Sequence, residues 1–117
     1  MVEEAQAAGH QVKVIDPLKC DIKLEKQKPT VYYKGERLEK PDAIIPRIGA
    51  SITFYGTAIV RQFEAMNSFT TVSSQALVRS RDKLQSLQRL SSAGVGMPKT
   101  VFTNFGKHTD SIIQMVD

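Results

Sequence analysis

Residues 41–64 read PDAIIPRIGASITFYGTAIVRQFE, and residues 80–90 read SRDKLQSLQRL. In the first stretch Asp42 precedes Ala43-Ile44-Ile45, a short continuous apolar run of the kind found in a parallel strand covered on both faces. Pro46 ends the run, and Arg47 stands where the chain turns outward. Ser51 is placed to cap a helix. Ile52, Tyr55, Ile59, Phe63 and Met66 follow at spacings of three and four, which puts them on one helix face. Arg61, Gln62 and Glu64 fall largely outside that stripe. The second stretch predicts a helix from about Asp82 to Ala93, with Leu84, Leu87 and Leu90 on its inner face and Gly94 as its stop.

On either side of these stretches the signals are shorter. Glu3–Ala8 is helix-like, with Gly9 as its stop. Gln11–Ile15, QVKVI, alternates and is β-branched, as a strand would be. A helix running into such a strand is the second half of a βαβ unit, so a first strand is expected that this sequence does not supply. Lys19–Lys28 is lysine-rich and reads as a loop. Thr30–Tyr33, Lys34-Gly35 and Glu36–Leu38 predict a hairpin turning on Gly35. Phe69–Val72 reads as a strand, and Ser73 or Ser74 caps a short helix through about Val78. Thr100–Thr103 reads as a further strand, and Thr109–Val116 as a terminal helix capped by Thr109 or Asp110. Strands alternate with helices, which predicts an α/β layer fold with a mostly parallel sheet flanked by helices. Ligands of such folds bind at the carboxyl ends of the strands.

Bulk composition narrows the function classes. With 117 residues there is room for one domain, or a domain and part of another. Hydrophobic residues make up 41% and charged residues 24%, as in ordinary globular proteins. The one cysteine, Cys20, cannot form an internal disulfide, which fits a reducing compartment. No apolar run approaches the ~20 residues a membrane helix needs. The acidic start, MVEEAQAAGH, lacks the basic and apolar regions of a signal peptide. A cytoplasmic location is the expectation. The net charge of +4 permits weak attraction to polyanions. The cations are nevertheless scattered, and no aromatic residues alternate with them, which argues against nucleic acid as the main partner.

Arg47 is the strongest candidate for chemistry. A guanidinium at a strand's carboxyl end holds a carboxylate or phosphate through two parallel hydrogen bonds. The bland alternative is an ion pair with Asp42. Gly49 and Ser51, with Thr53, Tyr55 and Gly56, surround the same turn. Free backbone amides there would favour an anion, whereas a turn residue and a cap are their default uses. Arg79, Arg81 and Lys83 cluster around an expected helix start, where cations oppose the helix dipole. Asp82 offsets part of that cost and is the candidate cap; a solvated face is the commoner explanation of such a cluster. His10 and His108 have no second ligand at metal spacing. Cys20 has no paired His arrangement that would make it a nucleophile. Tyr32 and Tyr33 belong to the hairpin. No glycine-rich phosphate loop occurs.

Several motifs stand in one order: Asp16-Pro17-Leu18, Tyr33-Lys34-Gly35, Ile45-Pro46-Arg47-Ile48-Gly49, Thr53-Phe54-Tyr55-Gly56-Thr57, Arg61-Gln62-Phe63-Glu64 and Arg81-Asp82-Lys83-Leu84. In that order the chain resembles RimK-type ATP-grasp ligases, which add glutamates to the C-terminus of a ribosomal protein. The resemblance covers nearly the whole chain. It implies a pre-ATP-grasp, Rossmann-like domain over 1–79, lacking its first strand, and the beginning of an ATP-grasp domain over 80–117. It also implies carboxylate activation as an acyl phosphate by ATP and magnesium, followed by attack of an amine. By the resemblance Lys83 matches a lysine that faces the nucleotide, and Arg47 borders the acceptor-substrate pocket. The second nucleotide lysine, the adenine-binding segment and the magnesium ligands of the family have no counterpart before Asp117. Hence neither ATP nor magnesium is expected to bind this chain tightly, and no ligase activity is expected of it alone. The expected partners of the parent ligase are an amino acid and a peptide or protein C-terminus. An alternative reading is a stand-alone binding or assembly module that pairs with a second copy, through an open sheet edge or the apolar Ile112, Ile113, Met115 and Val116. A receiver-type or flavodoxin-like domain fits less well, for want of an acidic pair at a strand end.

Overall fold

A computed structural model describes residues 1–104 and 109–116. The chain divides into two compact units, Met1–Val78 and Arg79–Asp117.

In the first unit, strands β1 (Cys20–Lys23), β2 (Thr30–Tyr33) and β3 (Glu36–Arg37) form one sheet in that order, antiparallel throughout. The second sheet pairs β4 (Ala43–Ile44) with β5 (Phe69–Thr70) in parallel, Ala43 opposite Phe69. Helix α1 (Val2–Ala7) opens the unit. Helix α2 (Thr53–Ala65) carries its core, and α3 (Ser74–Arg81) follows β5.

The α/β class therefore holds, but the sheet is not mostly parallel. Turn chemistry is the reason. Lys34 and Gly35 both have positive φ, 52° and 82°, between the paired residues Tyr33 and Glu36. That is the two-residue turn whose twist suits a hairpin, and a hairpin is antiparallel by construction. Leu24–Pro29 is likewise too short for the crossover a parallel pair requires. Only β4 and β5, separated by α2, have such a crossover.

The expected loop at the start of the hairpin contains β1. Its pattern is buried, exposed, half-buried, exposed along Cys20, Asp21, Ile22 and Lys23, a half-solvated strand hidden by its charge content. The expected strand Gln11–Ile15 is absent. Lys13 lies 5.7 Å from the centre of the Tyr33 ring and Ile15 leans on the core, while Val14 is 74% exposed. No described strand runs beside this segment to complete a ladder.

The core comprises Cys20, Val31, Leu38, Ile59 and Phe63, with Ile44 and Met66 packed against it. Of the predicted stripe of α2, Ile59, Phe63 and Met66 face the core, whereas Tyr55 is exposed and Val60, outside the stripe, is buried. Two polar side chains fasten α2 to the sheet. Gln62, placed outside the stripe by its polarity, is buried and donates to the carbonyls of Lys23 and Thr30, both at 3.3 Å. Tyr55 donates from its hydroxyl to the Cys20 carbonyl at 2.5 Å. At the end of α2, Asn67 takes φ 61°. The amides of Asn67 and Ser68 bond back to Glu64 and Phe63, a closure that satisfies carbonyls otherwise orphaned.

In the second unit α4 (Lys83–Ser92) begins and ends where its signals place it. The Asp82 carboxylate accepts the Gln85 amide at 2.9 Å, and Gly94 at φ 69° closes the C-terminus. Leu84 and Leu87 are half-buried, but Leu90 is 42% exposed. Helix α5 (Thr109–Val116) also forms as predicted. Thr100–Thr103 is not a strand. The Thr100 hydroxyl donates instead to the Pro98 carbonyl, a local bond that competes with sheet geometry.

Cys20 is buried, so the loop position expected of it is corrected to the first residue of β1. Burial, with Asp16 and Asp21 nearby, pushes its thiol pKa above the ordinary 9.0. A native chain should therefore react with a thiol reagent about a hundredfold or more slower than the urea-unfolded chain, because reaction requires opening of the core. The raised folded-state pKa has a second consequence. Its stability contribution is complete below the unfolded thiol range and is lost as pH rises through the folded value. The urea midpoint should fall above about pH 9 in the native sequence, and Cys20→Ala should remove that alkaline component.

Candidate functional site

The parallel pair β4–β5 brings two chain segments to one edge. Both strands end at the same side, so Ile45–Gly49 and Thr71–Ser73 leave from the carboxyl edge of the pair. This is where α/β folds bind ligands. Ser68 and Phe69 hold the opposite end in register. The Ser68 hydroxyl donates to the Pro41 carbonyl at 2.7 Å, and the Phe69 amide donates to the Asp42 carbonyl at 2.9 Å.

Arg47 lies on the first of these segments and is exposed. The alternative of an ion pair with Asp42 is not met; among the described residues Arg47 has no ion pair. Its neighbour Ile48 is half-buried, and a Cβ built on Gly56 would collide with the Ile48 Cγ2. The loop is therefore pressed on the first turns of α2 through Ile48, which leaves Arg47 facing outward on a braced backbone. A glycine inside a helix costs about 1 kcal/mol relative to alanine, and close approach is the usual reason to keep one.

Gly49 precedes a 3-10 turn, Ala50–Ile52, that contains Ser51 and leads into α2. Gly49 has φ −68°, which any residue adopts, and nothing crowds its Cα. Ser51 is not a cap: neither the 3-10 turn nor α2 receives a side-chain cap. The serine lies inside the turn, one residue before the α2 cap position at Ile52 and two after the turn's own cap position at Gly49. Thr53 is occupied locally, its hydroxyl donating to the Ala50 carbonyl at 2.9 Å. Tyr55 is committed to Cys20, a structural bond rather than a ligand contact.

The second segment is held by a group the sequence reading passed over. Glu64 of α2 accepts from the Ser74 amide at 2.8 Å and from the Ser74 hydroxyl at 2.6 Å. A carboxylate from one helix thus caps the N-terminus of the next, a favourable match of charge and dipole. Ser73 adds a cap of its own to the Ala76 amide at 3.1 Å. Nothing local in the sequence signals the Glu64 contact, since the partners lie ten residues apart and meet only in the fold.

Arg47, Gly49 and Ser51 thus share one loop of the first unit. Lys83 belongs to the second, as the first residue of α4, and is exposed. The basic cluster is also re-sorted. Arg79 and Arg81 lie in the last turn of α3, where cations match the dipole, and only Lys83 stands at a helix start. Among the described residues no three His, Cys, Asp or Glu side chains converge as a metal site. His10 is exposed, and His108 lies outside the described residues. The described residues thus fit neither a magnesium site nor, with Lys83 alone, a nucleotide cradle.

A family model described as the RimK PreATP-grasp domain matches residues 1–77. Curated relatives carry the name probable alpha-L-glutamate ligase. The chain is 52% identical over 116 residues to that of Halorhodospira halophila, and 54% identical over 116 residues to that of Syntrophotalea carbinolica. It is 53% identical over 114 residues to that of Coxiella burnetii. These matches cover 99%, 99% and 97% of this chain but 38% of each relative. The likeness read from the ordered motifs is thereby shown.

The bracing of the loop is open to test. Gly56→Ala should lower stability, because overpacking against Ile48 costs about 1–3 kcal/mol and outweighs the gain in helix propensity. In urea unfolding, a second change Ile48→Ala should recover part of that loss. Strict additivity of the two would show that the residues do not press on each other.

Proposed function

This chain belongs to the RimK pre-ATP-grasp family, and we propose on that premise that it is the substrate-side, N-terminal part of an ATP-dependent carboxylate–amine ligase. The reaction is addition of glutamate to the carboxyl end of a peptide or protein. Residues 1–79 are the pre-ATP-grasp domain and 80–117 the beginning of the ATP-grasp domain. The observation that carries the reading is Arg47: an exposed guanidinium at the carboxyl edge of a parallel strand pair, with no carboxylate among the described residues paired to it.

Arg47 holds a substrate carboxylate in a two-bond fork, which fixes orientation as well as charge. Gly49 leaves the approach to the adjoining turn open, and Ser51 offers a hydroxyl beside it. The bracing of Ile48 on Gly56 keeps the fork from following the substrate into solvent; positioning of this kind supplies part of a ligase's rate. Lys83 contributes one cation towards the nucleotide. ATP with magnesium, when bound by the whole enzyme, supplies the phosphoryl group that activates the carboxylate. No step through them is assigned to the residues of this chain, and the 117-residue chain alone is inactive. Its single cysteine is a free buried thiol, and no described helix is long and apolar enough to cross a membrane. Both support placement in the cytoplasm.

A second reading is self-association. Ile45, next after β4, and Phe69, the first residue of β5, are 56% and 66% exposed. A two-stranded sheet gains by adding strands, and a second copy would cover those side chains. Sedimentation across a hundredfold range of concentration should show mass rising above the 13.0 kDa of one chain. A constant monomer mass would remove this reading and leave the first intact.

The first reading is tested by a chimera in which this chain replaces the matching segment of a complete glutamate ligase. Glutamate addition should require ATP and should be absent from the 117-residue chain. Arg47→Ala should reduce kcat/KM about thirtyfold to a hundredfold, the worth of a charge-assisted fork, with Arg47→Lys only partly restoring it. Equal activity of the Arg47→Ala chimera would overturn the assignment.

A further inference from the structure

We propose that the groove between the β2–β3 hairpin and the C-terminal end of α2 is a second binding site, separate from the Arg47 loop, that takes an extended acidic peptide. The groove has a volume of about 750 Å3 and lies at the end of α2 remote from the turn at Ala50–Ile52. Lys28, Arg37 and Lys40 line it, against one carboxylate, Glu39. None of the three cations has an ion-pair partner among the described residues. Unpaired cations gathered on a concave surface create a field that selects anions.

The backbone beside these cations is also open. β3 is the edge strand of its sheet. Tyr33 and Glu36 close the turn, and the Leu38 amide bonds to the Val31 carbonyl at 2.9 Å. Arg37, opposite Tyr32, therefore occupies the non-hydrogen-bonded position, and its own amide and carbonyl face the free edge. An extended peptide can pair with that edge while its carboxylates meet the lysines, the mode in which main-chain bonds give affinity and flanking side chains give selectivity. The helix end does not oppose this strongly. The amides of Asn67 and Ser68 already bond the carbonyls of Glu64 and Phe63, which reduces the negative end of the dipole exposed to the groove. Met66 and Leu38 provide an apolar floor for the peptide's methylene groups. A nucleic acid strand would find no aromatic platform among its lining residues.

The probe is hexaglutamate, titrated into the 117-residue chain at 0.15 M salt, with hexaglutamine as the neutral control. Amide shifts should concentrate on Lys28, Arg37–Lys40 and Asn67, with saturable binding. The double variant Arg37→Glu/Lys40→Glu should weaken binding about tenfold, as two exposed charge pairs are lost and made repulsive. Arg61→Glu, equally exposed but on the flank of α2, should change it less than about twofold. Unaltered thermal unfolding of the variants, whose changed residues are at the surface, separates loss of the site from loss of the fold. The proposal is overturned if hexaglutamine binds as well as hexaglutamate, if Arg61→Glu weakens binding as much as the double variant, or if a uridine hexanucleotide binds more tightly than the peptide.

Discussion

Ile59 and Phe63 of α2 pack on Cys20, Val31 and Leu38, and the rest of the first unit is positioned by that contact. Burying side chains of this size contributes about 1.5–3 kcal/mol each, so a core of five residues has little to spare. Its direction matters as much as its size. Apolar contact alone would let a helix slide or rotate over a hairpin. Gln62 and Tyr55 prevent this by bonding backbone carbonyls at two places on β1 and one on β2. If these bonds were lost, the buried Gln62 amide would be left without partners, which makes the register of helix on sheet specific as well as stable.

With α2 fixed in this way, its two ends organise two separate surfaces. The N-terminal end receives Ile48 at Gly56 and so steadies the loop carrying Arg47. The C-terminal half sends Glu64 to the start of α3, which holds the loop after β5 at the same edge as Arg47. The parallel pair itself is only two residues long in each strand. Its alignment is maintained by these side chains and by the bonds from Ser68 and Phe69 to residues 41 and 42. The geometry of the loops at this edge therefore depends on α2 more than on the ladder.

Much of this was readable in the residues, and the failures share a cause. Helix ends were legible because their signals are local: Asp82 caps α4, and Gly9 and Gly94 take the positive φ that stops α1 and α4. The core stripe of α2 was legible because helical spacing is also local. Strands were not, since a strand exists only with a partner. QVKVI has the composition of a strand and no described strand beside it, whereas Cys20–Lys23 has a lysine-rich context and two core-facing residues on a paired strand. The antiparallel sheet was in principle legible from Lys34-Gly35, a turn already identified as a hairpin, which conflicts with a mostly parallel sheet. Gln62 and Glu64 were hidden by their polarity: a polar residue is assigned to solvent until the fold supplies its buried partner.

The same distinction between local and tertiary information bears on two of the candidate residues. Arg79, Arg81 and Lys83 look alike as a run of cations, but the structure places the first two in a helix's last turn, where the dipole favours them. Their position has an electrostatic explanation and requires no ligand. Lys83 follows the Asp82 cap at the first turn of α4, where the dipole opposes it by a few tenths of a kcal/mol. Arg47 is comparable: it is a cation with no ion pair among the described residues, held on a loop whose contact through Ile48 keeps a glycine inside a helix. The Lys83 placement is not what the helix dipole alone would select. A residue that local physics disfavours, on a scaffold that holds it there, is more informative about ligand binding than a larger cluster of cations that the fold already accounts for.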